Sequence, residues 1–129
     1  MTYTIARRFS FAAAHHLEGL PAGHKCARLH GHTYTVEVLL TAGELDDAGF
    51  VADFGDLDVL KDYLDAELDH RDLNEALPVQ PSCENIARHL YGWCRDNTAH
   101  GHLVSAVRVS ESPATWAEYA PGGLQAGKG

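Results

Sequence analysis

Cysteine is scarce: Cys26, Cys83 and Cys94 are the only three in 129 residues. An odd, sparse set without a secretory leader does not make a disulfide framework, so free thiols in a reducing compartment are expected. The amino-terminal MTYTIARRFSF has a basic pair but no apolar run long enough for a signal peptide, and no later stretch approaches a membrane span. A cytoplasmic address with no membrane partner is the expectation. Positive charge is also in short supply. Ten Lys and Arg stand scattered against eighteen Asp and Glu, for a formal net charge of −8. Phosphate-backbone binding relies on clustered cations, so nucleic acid is not an expected partner. Repeats are absent, and the one biased segment is the terminal PGGLQAGKG. With 45% apolar residues the chain has material for one core. We expect a single domain over residues 1–120 and a flexible tail over 121–129.

What the chain does have is histidine. Five of its nine lie in AAHHLEGLPAGHKCARLHGHTY, residues 13–34, together with Cys26. Local patterning places them. Phe9, Phe11, Ala13 and His15 alternate, which predicts a strand over 3–15 with an apolar face that ends in an imidazole. Gly19, Pro21 and Gly23 predict a loop over 18–28 that carries Cys26 at its end. From residue 30 to 41 the even positions His32, Tyr34, Val36, Val38 and Leu40 share one face of a second strand. Leu57, Leu60, Leu64 and Leu68 recur at helical spacing behind a candidate cap, Asp53. His70 falls in a loop just past that helix. Ser82 can cap a second helix whose buried stripe would be Ile86, Leu90 and Trp93, and a hairpin over 103–119 follows, turning at Ser112-Pro113. The order ββααββ implies an α+β fold: a four-stranded antiparallel sheet with two helices on one face. Such a sheet leaves two edges and one face uncovered, a liability that association between copies would remove.

Residues two apart in a strand point the same way, so His30 and His32 present two imidazoles together, with room left by Gly31 between them. His15, on the core side of the adjacent strand, can supply a third; His16 faces the opposite side. The second HGH, at His100–His102, has no such company and reads as a surface loop. Three histidines alone leave a tetrahedral ion one open position, whereas Cys26 as a fourth ligand would close the site and make it structural. Spacing does not choose between these. Beside a dication, with Lys25 adjacent, Cys26 is also suited to act as a thiolate base.

The motifs AAHHL, GHKCARLHGH, LDHRDLN, PSCEN and VSES together resemble the family of 6-pyruvoyltetrahydropterin and 6-carboxytetrahydropterin synthases, over residues 15–111. The short C-x3-H-G-H spacing resembles the bacterial 6-carboxytetrahydropterin synthase branch. The resemblance implies the tunnelling fold (T-fold), assembled as trimers that stack into homohexamers with sites at subunit interfaces. It implies Zn2+ held by His15, His30 and His32, catalytic Cys26, Asp69 and His70, and a pterin anchored by Glu111. The implied activity is a carbon–carbon lyase that converts 7,8-dihydroneopterin triphosphate to 6-carboxy-5,6,7,8-tetrahydropterin, acetaldehyde and triphosphate, feeding queuosine or another 7-deazapurine. The alternatives are 6-pyruvoyltetrahydropterin synthase activity, which leaves the side chain uncleaved, and a non-catalytic zinc-stabilised module. Cys83 stands in PSCEN where relatives often carry Ser or Thr, and is left outside the catalytic set.

Overall fold

The computed structural model describes residues 1–122; the expected flexible tail, 121–129, lies outside the described residues from 123 onward. Strands β1 (Tyr3–His15) and β2 (His30–Ala42) form one long hairpin, and β3 (Val104–Ser112) and β4 (Thr115–Tyr119) form a second. Together they make one antiparallel sheet in the order β1-β2-β3-β4. Period-two alternation decides its faces. Phe9, Phe11 and Ala13 of β1, Tyr34, Val36, Val38 and Leu40 of β2, and Val107 and Val109 of β3 are buried, as the sequence pattern predicts. Leu57, Leu60, Leu64, Leu68, Ile86 and Leu90 from the helices pack into the same cluster.

The first helical segment runs over 54–68 but is not uniform. A 3-10 turn (Phe54–Leu57) leads into α1 (Asp58–Tyr63), and a π turn (Leu64–Leu68) ends it. Asp53 caps it as expected, accepting from the Gly55 N–H at 2.8 Å. At the other end the Asp69 N–H reaches back five residues to the Leu64 carbonyl at 2.8 Å. Wide turns of this kind recur at functional sites, and this one delivers 69–71 to the edge of β1. There the Ala12 N–H donates to Asp69 Oδ1 (2.9 Å), the His70 N–H to the Ala12 carbonyl (2.6 Å), and the Ala14 N–H to the Arg71 carbonyl (3.0 Å). The expectation of a bare β1 edge is therefore corrected for its last turns: strand backbone groups at an edge need partners, and this loop supplies them.

Two further differences have local causes. The segment 69–81, expected as a loop, contains a one-turn helix, α2 (Leu73–Ala76), because Asp72 caps the Asn74 N–H at 3.0 Å while Leu73 and Leu77 bury themselves in the core. In α3 (Cys83–Asn97), capped by Ser82 as expected, the buried stripe is Ile86, Ala87, Leu90 and Cys94. Trp93, expected in that stripe, is half-buried and stacks on Tyr63 with ring centroids 4.5 Å apart. Burial makes Cys94 a packing thiol, its pKa pushed up to about 12.

The second HGH forms a 3-10 turn (Gly101–Leu103) in which His102 is exposed, as expected. His100 is half-buried and meets Asp56 Oδ2 at 2.7 Å, and Gly101 is buried so tightly that a Cβ would overlap the Arg95 carbonyl. That copy of the motif is a packing device. The sheet face away from the helices carries a ladder of charge: Arg8 to Glu37 (3.0 Å), Glu37 to Arg108 (3.3 Å) and Arg108 to Glu118 (2.6 Å), with Arg108 lying over the exposed Trp116 ring at 4.7 Å. No described helix is long and apolar enough to cross a membrane.

Candidate metal centre and active site

The β1–β2 register pairs His15 with His30 and Ala13 with His32, so three imidazoles meet at one end of the hairpin. Ring centroids lie 4.6 Å (His15–His30), 5.2 Å (His15–His32) and 4.8 Å (His30–His32) apart. One ring nitrogen from each falls within 4.8 Å of the other two, and this is the group of metal-capable side chains found among the described residues. His15 is fully buried; the other two are partly covered. A Cβ on Gly31 would make only ordinary contact with the Ala13 carbonyl, at 3.6 Å. The room expected from that glycine is thus not what allows the rings to meet.

Hydrogen bonding defines what these rings can hold. His15 Nδ1 lies 2.7 Å from the Pro81 carbonyl and His30 Nδ1 2.6 Å from the Arg28 carbonyl. A carbonyl only accepts, so both Nδ1 atoms carry a proton, and a ring protonated at Nδ1 alone turns a bare Nε2 lone pair toward its neighbour's Nε2, 3.1 Å away. Two lone pairs at that distance repel unless a cation lies between them. His32 Nε2 is buried without a hydrogen bond among the described residues; Glu111 Oε2 is 3.1 Å away but not aligned with the ring nitrogen. An orphaned buried nitrogen of this kind costs about 1–3 kcal/mol. One cation would satisfy all three ring nitrogens, and ligating histidines with their second nitrogen fixed on a carbonyl are the usual arrangement around metals. The residues present therefore fit a metal ion. Burial pushes His15 below the usual histidine value, with the Pro81 carbonyl and Glu111 acting in the opposite direction, which favours the neutral, ligating form.

The other expected site residues divide among three places. Glu111 ends the buried face of β3 beside the triad, its Oε1 accepting from Cys83 Sγ at 3.2 Å while Oε2 faces His32. Burial and that carboxylate push the Cys83 thiol up, so it stays protonated and donates. Sequence reasoning left Cys83 aside; the available signal was its position one residue past the Ser82 cap, which fixes its rotation about α3. The Tyr34 hydroxyl, fully buried and without a partner among the described residues, lies under the same end of the sheet, its ring edge-on to His15 and His32 at 5.7 and 5.5 Å. The Pro81 carbonyl, a backbone group, had no sequence signal.

Cys26 lies in a 3-10 turn (Lys25–Ala27) before β2, half-buried and outside the histidine group. Its backbone is fixed at both ends: N–H to His24 Nδ1 at 3.1 Å and carbonyl from the Leu17 N–H at 2.8 Å. Asp69 and His70 are together but elsewhere. His70 Nδ1 is 2.9 Å from Asp69 Oδ2, and the Ala12 N–H, then His70, hold the Asp69 carboxyl below its usual value. His70 has φ 58°, a left-handed conformation that costs a non-glycine residue about 1 kcal/mol or more, and its side chain is 82% exposed. No hydrogen bond or ion pair among the described residues joins this pair to Cys26 or to the triad. Within one chain the structure brings the three histidines and Glu111 together, keeps Cys26 on an adjoining turn, and leaves Asp69–His70 facing outward.

The profile of the 6-pyruvoyl tetrahydropterin synthase family matches residues 4–122. A protein of Archaeoglobus fulgidus provisionally named 6-carboxy-5,6,7,8-tetrahydropterin synthase is 37% identical over 84% of this chain and 88% of its own length. The 6-carboxy-5,6,7,8-tetrahydropterin synthase of Bacillus subtilis is 31% identical over 95% of this chain and 90% of its own length. Among solved structures, the 6-pyruvoyl tetrahydropterin synthase of Caenorhabditis elegans superposes with a TM-score of 0.81 at 27% identity, covering 93% of this chain and 96% of that one.

Proposed function

The chain belongs to the 6-pyruvoyl tetrahydropterin synthase family, and we propose that within it the chain acts as a 6-carboxy-5,6,7,8-tetrahydropterin synthase. The reaction is cleavage of 7,8-dihydroneopterin triphosphate to the 6-carboxy product, acetaldehyde and triphosphate, in the cytoplasm, supplying queuosine or another 7-deazapurine. The observation that carries this reading is the pairing of a three-imidazole cradle with a carboxylate 3.1 Å from one of its rings. Relatives that carry the synthase name, at 31% and 37% identity, and the short C-x3-H-G-H spacing favour the cleaving reaction over the 6-pyruvoyl one.

In this reading His15, His30 and His32 hold Zn2+, because three nitrogen donors with one open position are the pattern of a catalytic zinc site. When bound, the ion supplies Lewis-acid polarisation of the substrate's side-chain oxygens, which makes the adjacent C–H acidic. The chain's own groups do the rest. Cys26 takes a proton as thiolate. His70, with Nδ1–H fixed on Asp69, keeps Nε2 free to accept or return one. Since His70 is exposed and neither it nor Asp69 bonds to the triad among the described residues, the working site takes Cys26 and the triad from one copy and Asp69–His70 from another. The assembly is a trimer or a stacked pair of trimers. The ladder-bearing open face, the β4 edge and the uncovered part of the β1 edge suit such an assembly.

Glu111 accepts from the amino group and adjacent ring N–H of the pterin, which a two-oxygen anion does and an amide does not. Glu111→Gln is therefore expected to weaken binding of 7,8-dihydroneopterin by about 10-fold or more, or ~1.4 kcal/mol, with unfolding and metal content unchanged. Calorimetric titration checks it; an unaltered affinity would remove Glu111 from the pterin site.

A further inference from the structure

The β1–β2 ladder ends at the His15–His30 pair, but the chain beyond it keeps the ladder's alternation. On the outer edge the N–H groups of Ala12, Ala14, His16 and Glu18 are taken in turn by Asp69 Oδ1 (2.9 Å), the Arg71 carbonyl (3.0 Å), Asn74 Oδ1 (2.9 Å) and Gln80 Oε1 (2.9 Å). On the inner side the Leu17 N–H reaches the Cys26 carbonyl at 2.8 Å. Backbone groups that run past the end of a sheet need partners, and here side chains from 69–80 replace the missing strand. Asn74 closes the LDHRDLN motif, of which the proposed chemistry uses only Asp69 and His70.

Asn74 and Gln80 do more than accept. Asn74 Nδ2 also donates to the His16 carbonyl (3.0 Å) and Gln80 Nε2 to the Glu18 carbonyl (3.2 Å). A carboxamide offers an acceptor and a donor side by side, so each clamps both backbone groups of one residue, which a carboxylate cannot do. Both amides stand on fixed supports. Asn74 lies in α2, where Asp72 accepts its N–H (3.0 Å) and Leu73 is buried. The Gln80 carbonyl accepts from the Ser82 N–H (2.9 Å) and from Asn85 Nδ2 (3.0 Å), which ties it to the start of α3, and the next carbonyl, Pro81, holds His15 Nδ1 (2.7 Å).

Leu17 thus sits between two clamped residues, and its N–H bonds the turn that carries Cys26. The loop between them, through Gly19 and Gly23 at φ 79° and 83°, is largely exposed. The position of the clamped segment reaches Cys26 through the Leu17 bond. We propose that Asn74 and Gln80 are positioning residues that set Cys26 against the three histidines through the backbone of 16–18. The proposal rests on the reading of Cys26 as the proton acceptor and adds what holds that thiol in place.

The first readout is amide hydrogen exchange on the full-length, zinc-loaded chain, which depends on no reaction. In Asn74→Ala and in Gln80→Ala the Leu17 amide is expected to lose about 10-fold or more of its protection, while amides of the β1–β2 ladder keep theirs. Asn74→Ala should have the larger effect, since Asn74 is half-buried and water can replace the exposed bonds of Gln80. That same exposure lets Gln80→Ala be made without disturbing the core. The second readout is turnover of 7,8-dihydroneopterin triphosphate. Asn74→Ala should lower kcat by about 10- to 100-fold, the loss that a displacement of about 1 Å at a reacting group brings, with KM within a few-fold and zinc content unchanged. In a Cys26→Ala background the same substitution should cost less than about 2-fold more, because the group it positions is gone. Unchanged Leu17 protection in both variants overturns the proposal, and so does a kcat loss that multiplies in full with that of Cys26→Ala, or a loss in KM alone. If Cys26→Ala itself turns over at the parent rate, the proton-acceptor reading falls, and the Leu17 amide still decides whether the clamp holds the turn.

Discussion

Replacing Cys26 with alanine is expected to leave zinc, fold and assembly intact and to lower turnover by roughly 10²- to 10⁴-fold, the range in which a positioned proton acceptor contributes. The thiol lies outside the histidine group, and its turn is fixed by backbone atoms that alanine keeps: the N–H on His24 and the carbonyl on Leu17. Loss of the sulfur therefore removes an acceptor without removing a strut. Metal analysis of the purified variant separates this from a closed four-ligand site. One zinc per chain with turnover lost is the expected pair of results; loss of the zinc along with turnover would make Cys26 a ligand and the centre structural.

His32→Ala is expected to abolish both metal binding and turnover. His15 and His30 keep their carbonyl anchors, but two nitrogens 3.1 Å apart on adjoining strands give a dication only two of its three protein donors. The substitution also removes the ring that faces Glu111 Oε2, so the pterin end loses a neighbour at the same time. Metal stoichiometry should fall from one per chain toward zero while the hairpin stays folded, since His32 is partly exposed and the hydrophobic cluster from Phe11 to Leu40 lies inside it. Circular dichroism and metal analysis on the same sample check both halves; retention of a full equivalent of metal would remove His32 from the centre.

The three-histidine cluster was legible because strands impose their period on everything they carry. Phe9 to His15 and His32 to Leu40 announced their faces through alternation, and once both hairpin strands were placed the imidazoles had nowhere else to go. Glu111 entered through the family resemblance, and the structure shows it as the acid that ends the buried face of β3. What was hidden depends on contacts distant in sequence or on backbone atoms. The Asp69 carboxylate meets Ala12, 57 residues away, through a π turn that leucine spacing cannot distinguish from an ordinary helix. Pro81 contributes only its carbonyl, which every residue possesses. Helix α2 is too short for periodicity to register, and its Asp72 cap was the one available sign. In α3 the same spacing that predicted Trp93 as core allowed Cys94 in its place, and the smaller side chain is buried in the core while the indole turns to Tyr63. For the separation of Asp69–His70 from the triad, the shared site proposed above gives the reason: one chain's sequence lists the parts of such a site without saying which copy supplies each.

The activity itself is tested most directly by incubating the zinc-loaded protein with 7,8-dihydroneopterin triphosphate and identifying what leaves. Both reactions of the family begin by drawing protons from a polarised side chain, and only one goes on to release the terminal two carbons. The account predicts acetaldehyde and triphosphate in equal amounts with a 6-carboxy-5,6,7,8-tetrahydropterin, resolved by mass spectrometry. A dominant 6-pyruvoyl product without acetaldehyde would contradict it.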